Sequence, residues 1–140
     1  MARYRETGQP PTDALLDVGI IEFGKGNFPK ATELFRAARD ASPEEAKAAF
    51  FLGRALEESG GLDEALTLYA RIARGELRIL PQSQFTLADV YLEMAVVEER
   101  LGRRDEALGH FEEVLRRAPD HPKREAVRAR VAALRQPTKP

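Results

Sequence analysis

The side chains with the greatest chemical reach in this chain are two histidines, His110 and His121, and three adjacent acid pairs, Glu57-Glu58, Glu98-Glu99 and Glu112-Glu113. An imidazole near its neutral point could move a proton, and paired carboxylates could divide acid and base roles between them. Neither chemistry is organised by the spacing. Adjacent residues on a helix point about 100° apart, so neighbouring glutamates do not converge on one atom. No serine, cysteine or metal-ligand spacing is arranged around either histidine. His110 is expected on the exposed face of a helix and His121 in a linker, both solvated. The chain has no cysteine, which excludes disulfides, thiolate nucleophiles and cysteine-type zinc sites. Its glycines lack the Lys-Ser/Thr that completes a phosphate-binding loop. The expectation is a chain that is not an enzyme and that uses neither a cofactor nor a metal.

The glycines have another role, visible in what surrounds them. One spacing occurs three times: Gly26-x-Phe28-x2-Ala31-x3-Phe35-x2-Ala38-x4-Pro43, Gly60-x-Leu62-x2-Ala65-x3-Tyr69-x2-Ile72, and Gly102-x-Arg104-x2-Ala107-x3-Phe111-x2-Val114-x4-Pro119. Seven residues before each turn glycine stands a small residue inside an apolar helical pattern: Gly19, Gly53 and Ala95. A turn glycine, a small residue where helices cross and an aromatic residue one turn later describe one helical hairpin used three times. Asp13, Asp63-Glu64 and Asp105-Glu106 lie where helices start and acidic side chains favour the dipole. Ser42-Pro43-Glu44-Glu45 reads as a capping serine, a first-turn proline and a capping-box glutamate, predicting a helix start there. No strand-like alternation is present.

This pattern resembles the tetratricopeptide repeat, whose period is about 34 residues with small, aromatic and proline positions. Gly19 to Gly53 and Gly26 to Gly60 both span that period, and the resemblance covers roughly Thr12 to Pro119. It implies an all-α fold, a right-handed superhelical array of antiparallel helical hairpins, or α-solenoid. The expected organisation is a flexible segment over 1–11, repeats over 12–43, 44–78 and 82–120, a capping helix over 121–136 and a tail over 137–140. At 140 residues, 43% hydrophobic and a formal charge of −1, the chain reads as one compact domain able to fold alone. The absence of a long apolar run or signal-like leader suggests the cytoplasm.

Departures from the family pattern are informative. The early first-helix aromatic is Leu15, Ala49 and Tyr91 in the three copies, and Ala65 to Ala107 spans 42 residues. The extra residues lie within 75–84 and admit two readings: a longer loop, or elongation of the flanking helices with Pro81 opening the third hairpin. Elongation is preferred, because Phe85, Ala88 and Leu92 keep helical spacing. After the third hairpin, Val127, Val131 and Leu134 line one face of a helix that otherwise carries basic residues. From His121 onward the net charge is +5, leaving −6 on the rest. Nucleic-acid binding is the sharper reading of that end. The plainer one, that it complements an acidic body, is preferred because stacking aromatics are missing.

In the family the first helices of successive hairpins line a groove that accepts a partner's peptide or helix. The resemblance therefore implies a binding face made of Leu16, Asp17, Ile20 and Phe23, then Phe50, Phe51, Arg54 and Glu57, then Asp89, Leu92, Glu93 and Val96. Leu16, Phe23, Phe50 and Leu92 also fit the edge of a core. Ile20, Phe51 and Val96 stand where the family commonly has polar residues, and suggest an apolar stripe flanked by Asp17, Asp89 and Glu93. Either a ligand or the chain's own amino-terminal segment or long connection could cover it. Related co-chaperones hold acidic tails with a basic carboxylate clamp. The matching places here are Leu16, Ile20, Phe51, Asp89 and Glu93, so that clamp is absent. The expected function is a non-enzymatic adaptor or scaffold module for an apolar peptide or helix with a neutral or basic rim. A self-associating, homo-oligomeric module is the alternative. Neither nucleic acid nor membrane is an expected partner.

Overall fold

A computed structural model describes residues 12–137 as seven helices: α1 (Thr12–Gly24), α2 (Phe28–Ala41), α3 (Ala46–Ser59), α4 (Leu62–Ala73), α5 (Leu87–Arg100), α6 (Arg104–Arg117) and α7 (Arg124–Arg135). The expected amino-terminal segment and the end of the tail lie outside the described residues. The fold is all-α, an array of helical hairpins packed in sequence. The sequence reads as one compact domain, and the chain divides instead into two compact units between Gln82 and Ser83. The first holds α1 to α4, each packed on the next; the second holds α5, α6 and α7, again packed in order.

Each hairpin is built around a small residue and a ring. A Cβ added to Gly19 would lie 2.5 Å from Phe35 Cε1, and one added to Gly53 would lie 2.6 Å from Tyr69 Cε1. Those glycines are therefore the space into which the rings pack. In the third hairpin Ala95 and Phe111 share a buried cluster with Leu92, Ala107, Val114, Val127, Val131 and Leu134. The turns are also repeated. Gly26, Gly60, Gly75 and Gly102 have φ between 78° and 87°. The amide after each donates five residues back, from Asn27 to Glu22, Gly61 to Leu56, Glu76 to Arg71 and Arg103 to Glu98. This is the left-handed glycine stop that satisfies the last helical carbonyls.

Gly75 decides the fate of the extra residues. It ends α4 at Ala73, and the next helix begins at Leu87, so 74–86 form a connection rather than extended helices. Pro81 lies in a turn within it. The start of α5 belongs to Thr86: its hydroxyl accepts from Asp89 N–H while the Asp89 carboxylate accepts from Thr86 N–H at 2.8 Å, a full capping box. The connection folds back on the first unit. Leu77 is buried, Arg78 N–H donates to the Glu44 carbonyl at 2.9 Å, and Ala46 N–H donates to the Arg78 carbonyl at 2.8 Å. Glu45 and Arg78 thus form a parallel bridge. That bridge explains why the expected capping box at Ser42 does not form. Glu45 is extended, α3 begins at Ala46 with its first amide taken by Arg78, and the Ser42 hydroxyl instead bonds that of Thr12 at 2.8 Å.

The histidines are not solvated surface groups. His110 Nδ1 lies 2.6 Å from Glu98 Oε1, whose residue is 2% exposed, and the His110 ring sits 5.5 Å from that of Tyr91. The hydrogen bond to Glu98 raises the His110 pKa above its ordinary value, against the opposing effect of burial. His121 is buried. Its Nδ1 accepts from Lys123 N–H at 3.0 Å, which places the proton on Nε2, 2.6 Å from Asp89 Oδ1. Burial pushes the Asp89 pKa up, but hydrogen bonds from His121 and Thr86 outweigh it and hold the group below its ordinary value. The two histidines therefore tie α5 to later parts of the chain, one on α6 and one at the entry to α7.

Gly53→Ala should destabilise by about 1–3 kcal/mol through overpacking against Tyr69. Gly109→Ala, whose added Cβ meets nothing within 4 Å, should stabilise by roughly 0.5–1 kcal/mol through helix propensity. Urea unfolding checks both signs. The titrations set a second expectation. A raised His110 pKa contributes stability that is complete below the unfolded value and is lost as pH rises through the folded value; a depressed Asp89 pKa contributes stability lost as pH falls through its folded value. The second unit should be most stable between these limits, and His110→Gln should flatten the loss of thermal midpoint on the alkaline side only.

Candidate functional site

In the first unit the outward face of α1 and α3 is partly aromatic. Ile20 is 40% exposed. Phe23 is half-buried, edge-on to Phe28 at 5.2 Å, and carries the Arg54 guanidinium 5.3 Å from its ring centroid. Phe51 is half-buried, stacked on Phe35 at 5.7 Å and edge-on to Phe50 at 5.8 Å. Asp17 is exposed on α1. The rings of Phe23 and Phe51 are thus fixed by neighbours behind them, so little side-chain entropy remains to be lost when a ligand covers their outer edges. Arg54 adds a cation held over an aromatic face.

Other expected members of this face are taken up by the core. Leu16 and Phe50 are buried, Phe50 lying 5.9 Å from Tyr69. Glu57 is buried too, accepting a 2.5 Å hydrogen bond from the Tyr69 hydroxyl. Its role is to satisfy the ring that Gly53 admits, and it offers a ligand no free surface. The spacing holds a signal for this: Glu57 and Tyr69 stand twelve residues apart, as do the buried Glu98 and its partner His110. In each of these hairpins a carboxylate from the first helix meets a donor from the second.

The second unit contributes less than expected. Leu92 is buried, Asp89 is engaged by Thr86 and His121, and Val96 packs against the hydrophobic cluster. Glu93 and Val96 remain half-exposed on α5. Tyr91, Asp105, Glu106, Gly109, His110 and Glu113 border an open pocket of about 470 Å³. Arg117 lies 5.1 Å over the Tyr91 ring and also pairs with Glu113 at 2.6 Å. Among the described residues no group of three or more acids and histidines could hold a metal ion. Part of the basic end is ion-paired within the unit. Arg128 pairs with Glu125 at 2.7 Å, Arg130 with Glu99, and Arg135 with Glu112. Arg130 and Arg135 thus complement carboxylates of α5 and α6, while Arg128 pairs within α7 itself.

The long connection leaves Ile20 open, since its buried Leu77 and bridging Arg78 are spent on the start of α3. Val18 and Ile21 on α1, 48% and 57% exposed, were not among the expected site residues. Comparison of α1 with α3 one period later marks them: their equivalents, Leu52 and Ala55, are buried. No helix among the described residues is long and apolar enough to cross a membrane.

Two models of one family match the chain, each described as tetratricopeptide repeat, over residues 16–83 and 89–121. No curated protein matches the sequence significantly. Solved structures with a similar fold include the Arabidopsis OM64 TPR domain, 16% identical, with a TM-score of 0.73 over 89% of this chain and 93% of that one. PcrH of Pseudomonas aeruginosa, in complex with the chaperone-binding region of PopB, is 22% identical with a TM-score of 0.69 over 88% and 93%. The first TPR of Spaghetti (RPAP3), bound to the HSP90 peptide SRMEEVD, is 18% identical with a TM-score of 0.73 over 89% and 94%. With the repeated glycine–ring crossings and the glycine stops, these matches show that the chain belongs to the tetratricopeptide repeat family.

Proposed function

We propose that this chain is a non-enzymatic protein-interaction module that takes an apolar segment of a partner, extended or helical, on the first-helix face of its hairpins. The observation that carries the reading is Ile20, 40% exposed beside rings already fixed in place. An isoleucine in that setting keeps apolar surface in contact with water, a free-energy cost that covering it would remove. Phe23, Phe51 and Arg54 supply the rest of the face on the first unit, with Asp17 at its edge; Glu93 and Val96 present a smaller one on α5.

The charge at the rim selects the ligand. Asp17 on the first-unit face, and Glu93 on the smaller face of α5, each favour a segment with neutral or basic flanks and repel an acidic tail. The places of a carboxylate clamp are filled by Leu16, which is buried, Ile20, Phe51, Asp89, which is bound to His121, and Glu93. RPAP3 in its solved complex holds the peptide SRMEEVD; PcrH holds a segment of PopB. For this chain the reading places the ligand outside the acidic-tail class. Two or three half-buried anchors correspond to micromolar affinity, about −8 kcal/mol, once ordering costs are met. The cysteine-free composition suits a cytoplasmic setting.

A peptide-display selection tests this with the immobilised chain. Apolar peptides with neutral or basic flanks should be enriched, and Ile20→Glu should weaken their binding at least tenfold while far-ultraviolet circular dichroism stays unchanged. Enrichment of acidic peptides, or binding indifferent to Ile20→Glu, would contradict the reading.

A further inference from the structure

The charges on the candidate face of the first unit are sorted by helix. On α3, Lys47, Phe51 and Arg54 follow helical spacing and form one stripe. One period earlier the same register on α1 holds Asp13, Asp17 and Ile20. The two acids are exposed and the two cations half-buried, with Glu58 exposed one turn beyond Arg54. α1 and α3 both pack on α2 and touch each other, and Arg54 reaches across to the Phe23 ring. Elsewhere in the unit Arg36, Arg39, Arg71 and Arg74 each meet a carboxylate. Among the described residues Asp13, Asp17, Lys47 and Arg54 form no ion pair, and the N–H donors of Arg54 have no acceptor.

We propose that the ligand of this face carries two opposite charges: a basic side chain beside Asp13 and Asp17, and one carboxylate paired with Arg54, on either side of the apolar residue that covers Ile20. This rests on the peptide-binding reading above and names the chemistry of the segment that the face selects. A guanidinium held against a ring is already positioned, so a carboxylate gains charge-assisted hydrogen bonds there without ordering a long side chain. Lys47, on the same stripe, adds to the attraction. The two acids of α1 attract the cation and keep a run of acids away. Lys47 and Arg54 both stand outside the places of the carboxylate clamp, so the single carboxylate is held by a different arrangement of charge.

The separation of the two helices sets the spacing of the two charges. Packed helices lie about 8–10 Å apart, and an extended chain advances about 3.3 Å per residue. An extended segment crossing from α1 to α3 therefore sets its basic and acidic residues roughly three positions apart, with apolar side chains between them. Such a segment is neutral in sum, in keeping with a rim that repels an acidic tail.

Four labelled peptides with one apolar centre test the proposal, their flanking pairs being Lys/Glu, Lys/Lys, Glu/Glu and Ser/Ser, set roughly three positions apart. Fluorescence anisotropy with the full chain reads their affinities. The Lys/Glu peptide should bind about tenfold more tightly than the Ser/Ser peptide, and the gap should close as salt is added. Arg54→Glu should invert one preference, so that Lys/Lys binds more tightly than Lys/Glu. Arg54→Gln should remove that preference without inverting it, and far-ultraviolet circular dichroism should stay unchanged in both variants. Equal binding of the four peptides, or an order unmoved by Arg54→Glu, overturns the proposal and leaves the apolar reading standing. Reversible self-association abolished by Arg54→Glu would assign the face to a second copy and overturn it too. Failure of both readings would instead show as no binding by any of the four, the result expected if residues 1–11 of the chain itself hold the face.

Discussion

The whole arrangement depends on how closely two helices can approach within one hairpin. Gly19 and Gly53 leave out the Cβ that would meet the rings of Phe35 and Tyr69, and in the third hairpin Ala95 and Phe111 share one buried cluster. Once the ring is seated, the rest of the hairpin has little freedom. The turn must close within a few residues, which the left-handed glycines at 26, 60 and 102 allow. The ring's polar end must find a partner, which Glu57 supplies to the Tyr69 hydroxyl. The first helix then has one side committed to its own hairpin, one to its neighbour, and a remainder that faces outward.

The proposed binding face belongs to that remainder. The side of α1 and α3 bearing Ile20, Phe23 and Phe51 is backed by buried rings, so its apolar edges are rigid. Rigid apolar edges favour a binding surface, because a ligand loses its own entropy there but need not order the receptor as well. The α3 carboxylate that could have formed part of this surface, Glu57, is employed in the core, where it accepts from the Tyr69 hydroxyl. The face on α1 and α3 is accordingly more apolar than the sequence of those helices implies, and its acidic edge falls to Asp17.

Much of the fold was legible because the decisive residues are local and repeated. Small–ring spacing, glycine stops and first-turn acids each carry their meaning within a few residues. The misreadings came from interactions between distant parts of the chain. Ser42-Pro43-Glu44-Glu45 has the chemistry of a capping box, yet a backbone bridge from Arg78 claims Glu45 and delays α3. Gly75 does carry a local signal, being one of four glycines that end a helix in the left-handed conformation, and Thr86-Leu-Ala-Asp89 is a true capping box. Reading those two would have given the 74–86 connection without the structure. The histidines were illegible for another reason. Whether His110 meets water or Glu98 depends on which helix faces coincide after packing. For the candidate face the sequence grouped Ile20, Phe23, Phe51 and Arg54 with Leu16, Phe50 and Glu57 and could not tell the exposed and half-buried members from the buried ones, since one helical step separates half-burial from burial.

The central claim is that the glycine–ring crossing, rather than backbone flexibility at glycine, sets the geometry of each hairpin. A double-mutant cycle on Gly53 and Tyr69, followed by urea unfolding, tests it most directly. If Gly53 exists to admit the ring, the cost of Gly53→Ala should largely vanish, or become a gain, when Tyr69→Leu has already shortened the side chain above it. The coupling should then amount to about 1 kcal/mol or more. Costs that simply add, with no coupling between the two positions, would contradict the account.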